Sequence, residues 1–245
     1  MAKYQFKPDI RLGILSVVLI ALFISLGIWQ LNRADAKRER LAIYKANSSQ
    51  AAANLQDIRF SAEKPTEDVR DQLMYRKLSV TGKYLSQYLF ARDNRQEKGR
   101  IGFHVFTPFK VSTNNKVILV NRGWVEMKNH KRVIPDVKTA DKEITLSGMA
   151  YYLSKPPLEL GDKREVSQSR MIVQNINISD LAEDLKLDLY PIVLLLDKNA
   201  DSGFVRNWKI ISAPAEKSTS YAVQWFSFAL IIFGLFVGLN IKRVN

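Results

Sequence analysis

The sequence predicts an α+β membrane protein: two transmembrane helices, one near each end, flanking a mostly β extramembrane domain with one or two short helices. Two stretches, Leu12 to Asn32 (LGILSVVLIALFISLGIWQLN) and Ser218 to Ile241 (STSYAVQWFSFALIIFGLFVGLNI), carry no charged residue. Each reaches the roughly 20 apolar residues that a helix needs to cross a bilayer. Between them the apolar residues fall in short alternating runs broken by Gly, Pro, Asn and Asp, the pattern of strands and turns. The 245 residues include no cysteine, which excludes disulfides, thiolate metal sites and thiol redox chemistry.

Residues 1–11 read as a short tail and 12–32 as the first span. That span is longer than the apolar core of a signal peptide and ends without a small-residue cleavage site. The domain is expected over 33–217. It opens with a helix over about 34–55, rich in Ala, Lys, Arg, Glu and Leu, and Ser61 to Asp71, with Pro65 and several charges, reads as a loop. Strands are expected at Tyr75–Leu85, Tyr88–Arg92, Gly102–Val111, Lys116–Val125, Glu143–Leu153, Met171–Ile176 and Tyr190–Leu196. Arg92 to Gly99 reads as a polar turn, Ser112 to Asn115 as a hairpin turn, and Lys155-Pro156-Pro157 as a strand stop. Ser179 is placed to cap a short helix running through Leu187, with Asp180 and Glu183 in its first turn. About seven short strands fit a barrel or a sandwich. The second span covers 218–241 and a tail covers 242–245.

Two spans put both tails on one side. Lys3, Lys7 and Arg11 precede the first span, but Arg33, Lys37, Arg38 and Arg40 follow it, and Lys242 and Arg243 follow the second. The basic residues therefore leave the orientation open. Of the net charge of +13, +9 lies between the spans. A basic domain reads either as a nucleic-acid binder or as a neighbour of an anionic bilayer, and tethering at both ends favours the bilayer.

No nucleophile elbow, zinc-protease, P-loop or dinucleotide motif is present. The two histidines are His104, on an expected strand, and His130, in a basic loop. The first reads as a structural histidine ahead of a ligand or proton carrier, the second as solvated, and Asp68 and Asp71 as a solvated surface. An enzyme is not expected.

In chain order come Leu26-Gly27-Ile28-Trp29-Gln30-Leu31 with Arg33, Gly82-Lys83-Tyr84, Gly102-Phe103-His104-Val105 with Thr107-Pro108-Phe109, and Val120-Asn121-Arg122-Gly123-Trp124-Val125. Val173-Gln174-Asn175-Ile176, Pro191-Ile192-Val193 and Tyr221-Ala222-Val223-Gln224-Trp225-Phe226 follow. In this order and between two spans, the chain resembles the Surfeit locus protein 1 family of cytochrome c oxidase assembly factors over nearly its whole length. The resemblance implies a bacterial inner-membrane protein with its domain in the periplasm. It implies a role in inserting haem a into, or stabilising, the large subunit of a haem–copper oxidase. The partners so implied are that subunit, the haem a synthesis machinery and the lipid bilayer, with no nucleic acid.

One departure matters. Members of the family that bind haem a resemble one another in a histidine three residues before the Tyr of Tyr-x-x-x-Trp, and here Ser218 stands there. Haem iron is usually held by His, Met, Cys or Tyr. Haem a as a cofactor is therefore in doubt. The candidate cofactor-binding residues are Ser218, Tyr221 and Trp225, spaced i, i+3 and i+7 on a helix, the two aromatics being equally readable as an interfacial belt. In the strand end Asn121–Val125, Gly123 permits a bulge or close backbone approach. Arg122 offers a donor fork for a carboxylate and Trp124 an interface anchor, so both are candidate partner-binding residues. The alternative is a structural ion pair for Arg122 and a core position for Trp124.

Gly27, and Gly234 with Gly238 as a small-xxx-small pair, predict close helix packing, either within the chain or between copies. The functional classes are an oxidase assembly factor and an envelope interaction or scaffold protein of the same fold that binds no haem. A channel is disfavoured, since neither span carries a charge or a filter.

Overall fold

The computed structural model describes residues 3–58, 60, 67–127, 133–137, 139, 141–153, 169–200 and 204–244. His130, the Lys155–Pro157 stop and the side chain of Asp68 lie outside these. The chain forms two compact units, Met1–Ala42 with Ile210–Asn245, and Ile43–Lys209.

In the first unit, α1 (Ile10–Ser48), up to Ala42, and α4 (Ala215–Asn240) meet through side chains: Phe23 against Trp225 and Phe228, and Lys37 and Arg38 on Ser218 and Thr219. Only 11% of the apolar window of each is buried, so neither is the core helix of a soluble protein. The buried seam is built from small residues. The buried residues include Ser16, Gly27, Gln30 and Ala34 on α1 and Ala215, Ser218, Ala222 and Ala229 on α4. Without a hydrophobic drive between helices in lipid, close packing of this kind supplies the attraction. Gly27 is the tightest point: a Cβ there would lie 2.5 Å from Phe226. Gly234 and Gly238 face away from α1, with nothing within 4 Å of where their Cβ atoms would be. The pair is thus made through Gly27 and not through the Gly-x-x-x-Gly face.

Two boundaries differ from the sequence reading. Asp9 caps α1 by accepting from the N–H groups of Arg11 (2.8 Å) and Leu12 (3.3 Å), so the helix starts at Ile10. It continues out of the apolar stretch as expected but ends at Ser48, short of the expected end near Leu55, where a short strand, Ala53–Asn54, and a turn, Leu55–Asp57, stand instead. The two short tails, read without an element in the sequence, form an antiparallel pair, β1 (Lys3–Phe6) with β10 (Ile241–Val244). Buried Asn240 fastens this end: its Oδ1 accepts from Asp9 N–H at 2.8 Å and its Nδ2 donates to Phe236 O at 2.7 Å.

In the second unit, eight strands among the described residues form one sheet. They are β2 (Ala53–Asn54), β3 (Lys77–Tyr84), β4 (Leu89–Glu97), β5 (Arg100–Val111), β6 (Val117–Glu126), β7 (Ile144–Tyr151), β8 (Arg170–Val173) and β9 (Leu189–Leu196), in the order β2-β3-β7-β9-β6-β5-β4-β8. A further β3–β5 pairing, Gly82 to Tyr84 against Phe109 to Val111, closes β3, β7, β9, β6 and β5 into a ring. The barrel-or-sandwich question resolves to a five-stranded barrel, which removes the edges that an open sheet would expose. Its interior holds Leu78, Val80, Phe109, Ile118, Val120, Ile192 and Leu194. β5 outruns the barrel, and its first half carries β4 and then β8 as a flap.

On the outer face, α3 (Ile178–Leu185) covers Phe90, Phe106, Leu119, Val193 and Leu195 with Leu181. Its N-cap is Asn177, which accepts from Ser179 N–H at 3.1 Å, so Ser179 lies inside the helix and not at its cap. α2 (Glu67–Leu73) starts inside the expected loop, Ser61 to Asp71, and runs past its end. Asn47, in the last turn of α1, donates to the carbonyls of Asp71 (2.6 Å) and Met74 (2.8 Å) at the end of α2. Arg92 to Glu97, expected as a turn, continues β4; the turn is only Lys98-Gly99, both at positive φ.

Candidate functional site

The strand end Asn121–Val125 answers to its neighbours. β6 pairs with β5 through a register shift: Val105 faces Gly123 and Phe106 faces Asn121, leaving Arg122 as the extra residue of a bulge. Gly123 takes φ +123°. The segment Phe204–Arg206 passes so close that a Cβ on Gly123 would meet Phe204 Cβ at 2.8 Å and Val205 O at 2.9 Å. Trp124 and Val205 exchange backbone hydrogen bonds of 2.7 and 2.9 Å, extending the sheet by one bridge.

Arg122 is 3% exposed. Its guanidinium lies between two rings, 5.0 Å from the centroid of Tyr84 and 5.1 Å from that of Phe204, and Nη1 donates to Thr139 Oγ1 at 2.8 Å. Buried Arg206 donates from Nε to Arg122 O (2.8 Å) and from Nη1 to Ala200 O (2.6 Å). A buried cation is tolerated when aromatic faces and acceptors replace its water. Burial raises the Tyr84 phenol above its ordinary range, while Arg122 and Arg206 act against that rise. Trp124 is 4% exposed and donates from Nε1 to Arg95 O at 3.0 Å. The partner-binding role expected of Arg122 and Trp124 therefore has no exposed side chain to act through in this fold. Both are engaged inside the domain, Arg122 against Phe204 of the neighbouring segment and Trp124 against Arg95 O and Gly102 of the flap strands.

Asn121 orients His104. Its Oδ1 accepts from Gly123 N–H at 3.1 Å, so its Nδ2 faces His104 Nδ1 at 3.2 Å. The amide donates to Nδ1, which leaves the imidazole proton on Nε2. Trp208 stands edge-to-face against the ring at 5.7 Å. Burial, then Arg95 and Arg92, hold His104 down to about 4 against an ordinary 6.5, with Glu97 opposing. His104 is thus neutral at physiological pH, in keeping with a structural histidine.

A pH dependence follows. Between about 6.5 and about 4 the unfolded chain binds a proton at His104 that the native chain does not. The stability contributed by the neutral ring is therefore present above about 6.5 and is lost as pH falls toward about 4. Its upper size is about 3 kcal/mol. Denaturant midpoints of the wild type and His104→Gln are expected to differ at neutral pH and to converge in acid. A gap independent of pH would assign the acid loss to other groups.

In the helix unit, Ser218 is 4% exposed and faces α1, where Lys37 Nζ donates to its Oγ at 2.9 Å. One residue on, Arg38 Nη2 donates to Thr219 Oγ1 at 3.0 Å while Nη1 pairs with Asp35 at 2.7 Å. Trp225 stacks on Phe23 with centroids 5.8 Å apart and meets Phe228 edge-on at 5.8 Å. Tyr221 is 43% exposed and points outward. The three expected cofactor-binding residues thus do not share one environment. A hydroxyl held by an ammonium, beside a second cation, does not fit as a ligand set for haem iron. The sequence reading missed Lys37, although it lies seven residues beyond Gln30 on the seam face of α1. Among the described residues no group of three His, Asp or Glu is placed to hold a metal ion.

Fold and site together define a membrane-anchored barrel protein whose polar residues lock strand ends and a helix pair. The chain belongs to the SURF1 family, whose profile matches residues 17–230. It is 26% identical over 238 residues to a SURF1-like protein of Rickettsia felis, covering 93% of this chain and 96% of that one. It is 27% identical over 234 residues to a SURF1-like protein of Rickettsia conorii, covering 93% and 90%. It is 28% identical over 132 residues to the cytochrome oxidase assembly protein SHY1 of Saccharomyces cerevisiae, covering 54% of this chain and 31% of the yeast protein.

Proposed function

We propose that this protein is a non-catalytic assembly factor for a haem–copper oxidase, held in the inner membrane by both helices with its barrel in the periplasm. The observation that carries the reading is membership of the SURF1 family, one relative of which is named a cytochrome oxidase assembly protein. Its partners in this reading are the oxidase large subunit, the haem a synthesis machinery and the bilayer. Its task is to assist haem a insertion or to steady the large subunit while haem enters.

The Lys37–Ser218 hydrogen bond favours a form of this reading in which the chain supplies no iron ligand of its own. The same bond supports the second reading, an envelope scaffold of this fold with no haem role. Reduced-minus-oxidised spectra of membranes from a deletion strain and its complemented parent separate the two. Loss of the oxidase haem signal, restored by the gene and accompanied by copurification of the large subunit, is expected. An unchanged spectrum with full oxidase activity would leave the scaffold reading.

A further inference from the structure

The ribbon of β1 and β10 has two unlike faces. In an antiparallel pair, residues directly opposite each other project from the same face. Tyr4 is opposite Arg243 and Phe6 is opposite Ile241, while Gln5 and Lys242 oppose each other between them. One face is therefore aromatic and aliphatic with an arginine toward its outer end, and the other is polar. Tyr4, Phe6 and Ile241 are all exposed, Tyr4 at 68%. Phe6 meets Phe236 of α4 edge-on, with centroids 6.0 Å apart, so the apolar face adjoins the helix. Lys7 N–H donates to Asn240 O at 2.8 Å and Asp9 N–H to Asn240 Oδ1 at 2.8 Å, which ties the ribbon to the end of α4.

Two demands set where such a ribbon rests. A lone two-stranded ribbon is marginal in water. Among the described residues β1 and β10 pair only with each other, which leaves N–H and C=O groups open along both outer edges. Open edges need water and an apolar face needs lipid, and the boundary of a bilayer supplies both. The lengths agree. Counting back from Asn32, the roughly 20 residues that cross the hydrocarbon reach the first turns of α1, and the ribbon follows directly. Ile10 and Leu239, the helix residues beside it, are exposed and apolar, so lipid reaches up to its base. The charge agrees as well. In residues 1–11 and 241–245, Lys3, Lys7, Arg11, Lys242 and Arg243 stand against a single carboxylate, Asp9, which caps α1. Basic residues beside a membrane helix are drawn to anionic headgroups.

We propose that the β1–β10 ribbon is an interfacial anchor that lies on the bilayer surface, with Tyr4, Phe6 and Ile241 dipped into the lipid and its basic residues on anionic phospholipid headgroups. It rests on the two spans and not on the oxidase reading.

The natural chain has no cysteine, so one introduced cysteine carries one nitroxide label. The full chain is labelled in turn at Tyr4→Cys, Gln5→Cys, Phe6→Cys, Ile241→Cys and Lys242→Cys. Each is placed in nanodiscs of phosphatidylcholine, with and without phosphatidylglycerol. Collision with oxygen reports lipid, and collision with a water-soluble nickel chelate reports water. Oxygen-rich signals at Tyr4→Cys, Phe6→Cys and Ile241→Cys, with nickel-accessible signals at Gln5→Cys and Lys242→Cys, are expected. Phe6→Cys also loses the contact with Phe236, so Tyr4→Cys and Ile241→Cys give the independent reading. Phosphatidylglycerol should raise the ratio of docked to free ribbon about fivefold for each basic residue engaged. High salt should cancel that rise. Adding Lys7→Gln and Arg243→Gln should remove most of it while leaving the ratio in phosphatidylcholine unchanged. Nickel access at every position, or alternation indifferent to phosphatidylglycerol, would overturn the proposal. Dipolar broadening between labels on two molecules would overturn it too, since a second copy would then cover the ribbon.

Discussion

Replacing Gly123 with alanine is expected to be among the most damaging single changes in the β domain, at about 3–5 kcal/mol. Two costs add. An L-residue at φ +123° is strained whatever its surroundings. The new methyl would also sit 2.8 Å from Phe204 Cβ, 2.9 Å from Arg206 Cγ and 2.9 Å from Val205 O, which backbone pairing with Trp124 holds in place. The damage reaches further than the turn. Gly123 N–H fixes Asn121, and Asn121 fixes the tautomer of His104. Chemical denaturation of the detergent-solubilised chain measures the loss. A Gly123→Ala protein within about 0.5 kcal/mol of wild type would refute the account, since surface changes fall in that range.

Gly27→Ile is expected to separate the helix pair, costing about 2–3 kcal/mol through overpacking. The helices approach here because glycine leaves room for the Phe226 ring, whose Cε1 lies 2.5 Å from the place a Cβ would take. Phe226→Ala should open that space, so the double variant should be more stable than the sum of the single changes allows, a coupling that a double-mutant cycle measures. Strict additivity would mean that the seam near Gly27 is not the tight contact. Gly234→Ile, on the face turned away from α1, should leave the pair intact.

Much of the fold was legible. Charge-free runs mark the helices because the solvent for a spanning segment is lipid, and composition alone reports that. Alternation marked most of the strands, since a half-buried strand must alternate. Arg92 to Glu97 escaped because Asp, Asn and Arg are poor strand formers and the flap exposes part of this stretch. Its strand state comes from pairing with β5, not from its own preferences. Closure of the barrel was equally hidden, resting on three residue pairs between β3 and β5.

The candidate site was legible only as a set of residues. From the sequence, Gly123 could be read as a bulge or close approach, and Ser218 as a poor iron ligand. Both are properties of a residue type at a position. The sequence could not say which polar groups share a buried space. Ser218 meets Lys37 across 181 residues of chain, and Arg122 lies between Tyr84 and Phe204. The sequence by itself determined the membrane helices, most of the strands and the exclusion of cysteine chemistry, because composition and periodicity are local. The tertiary structure alone decided which charges and polar groups meet inside each unit, because electrostatic pairing depends on distance in space and not on distance along the chain.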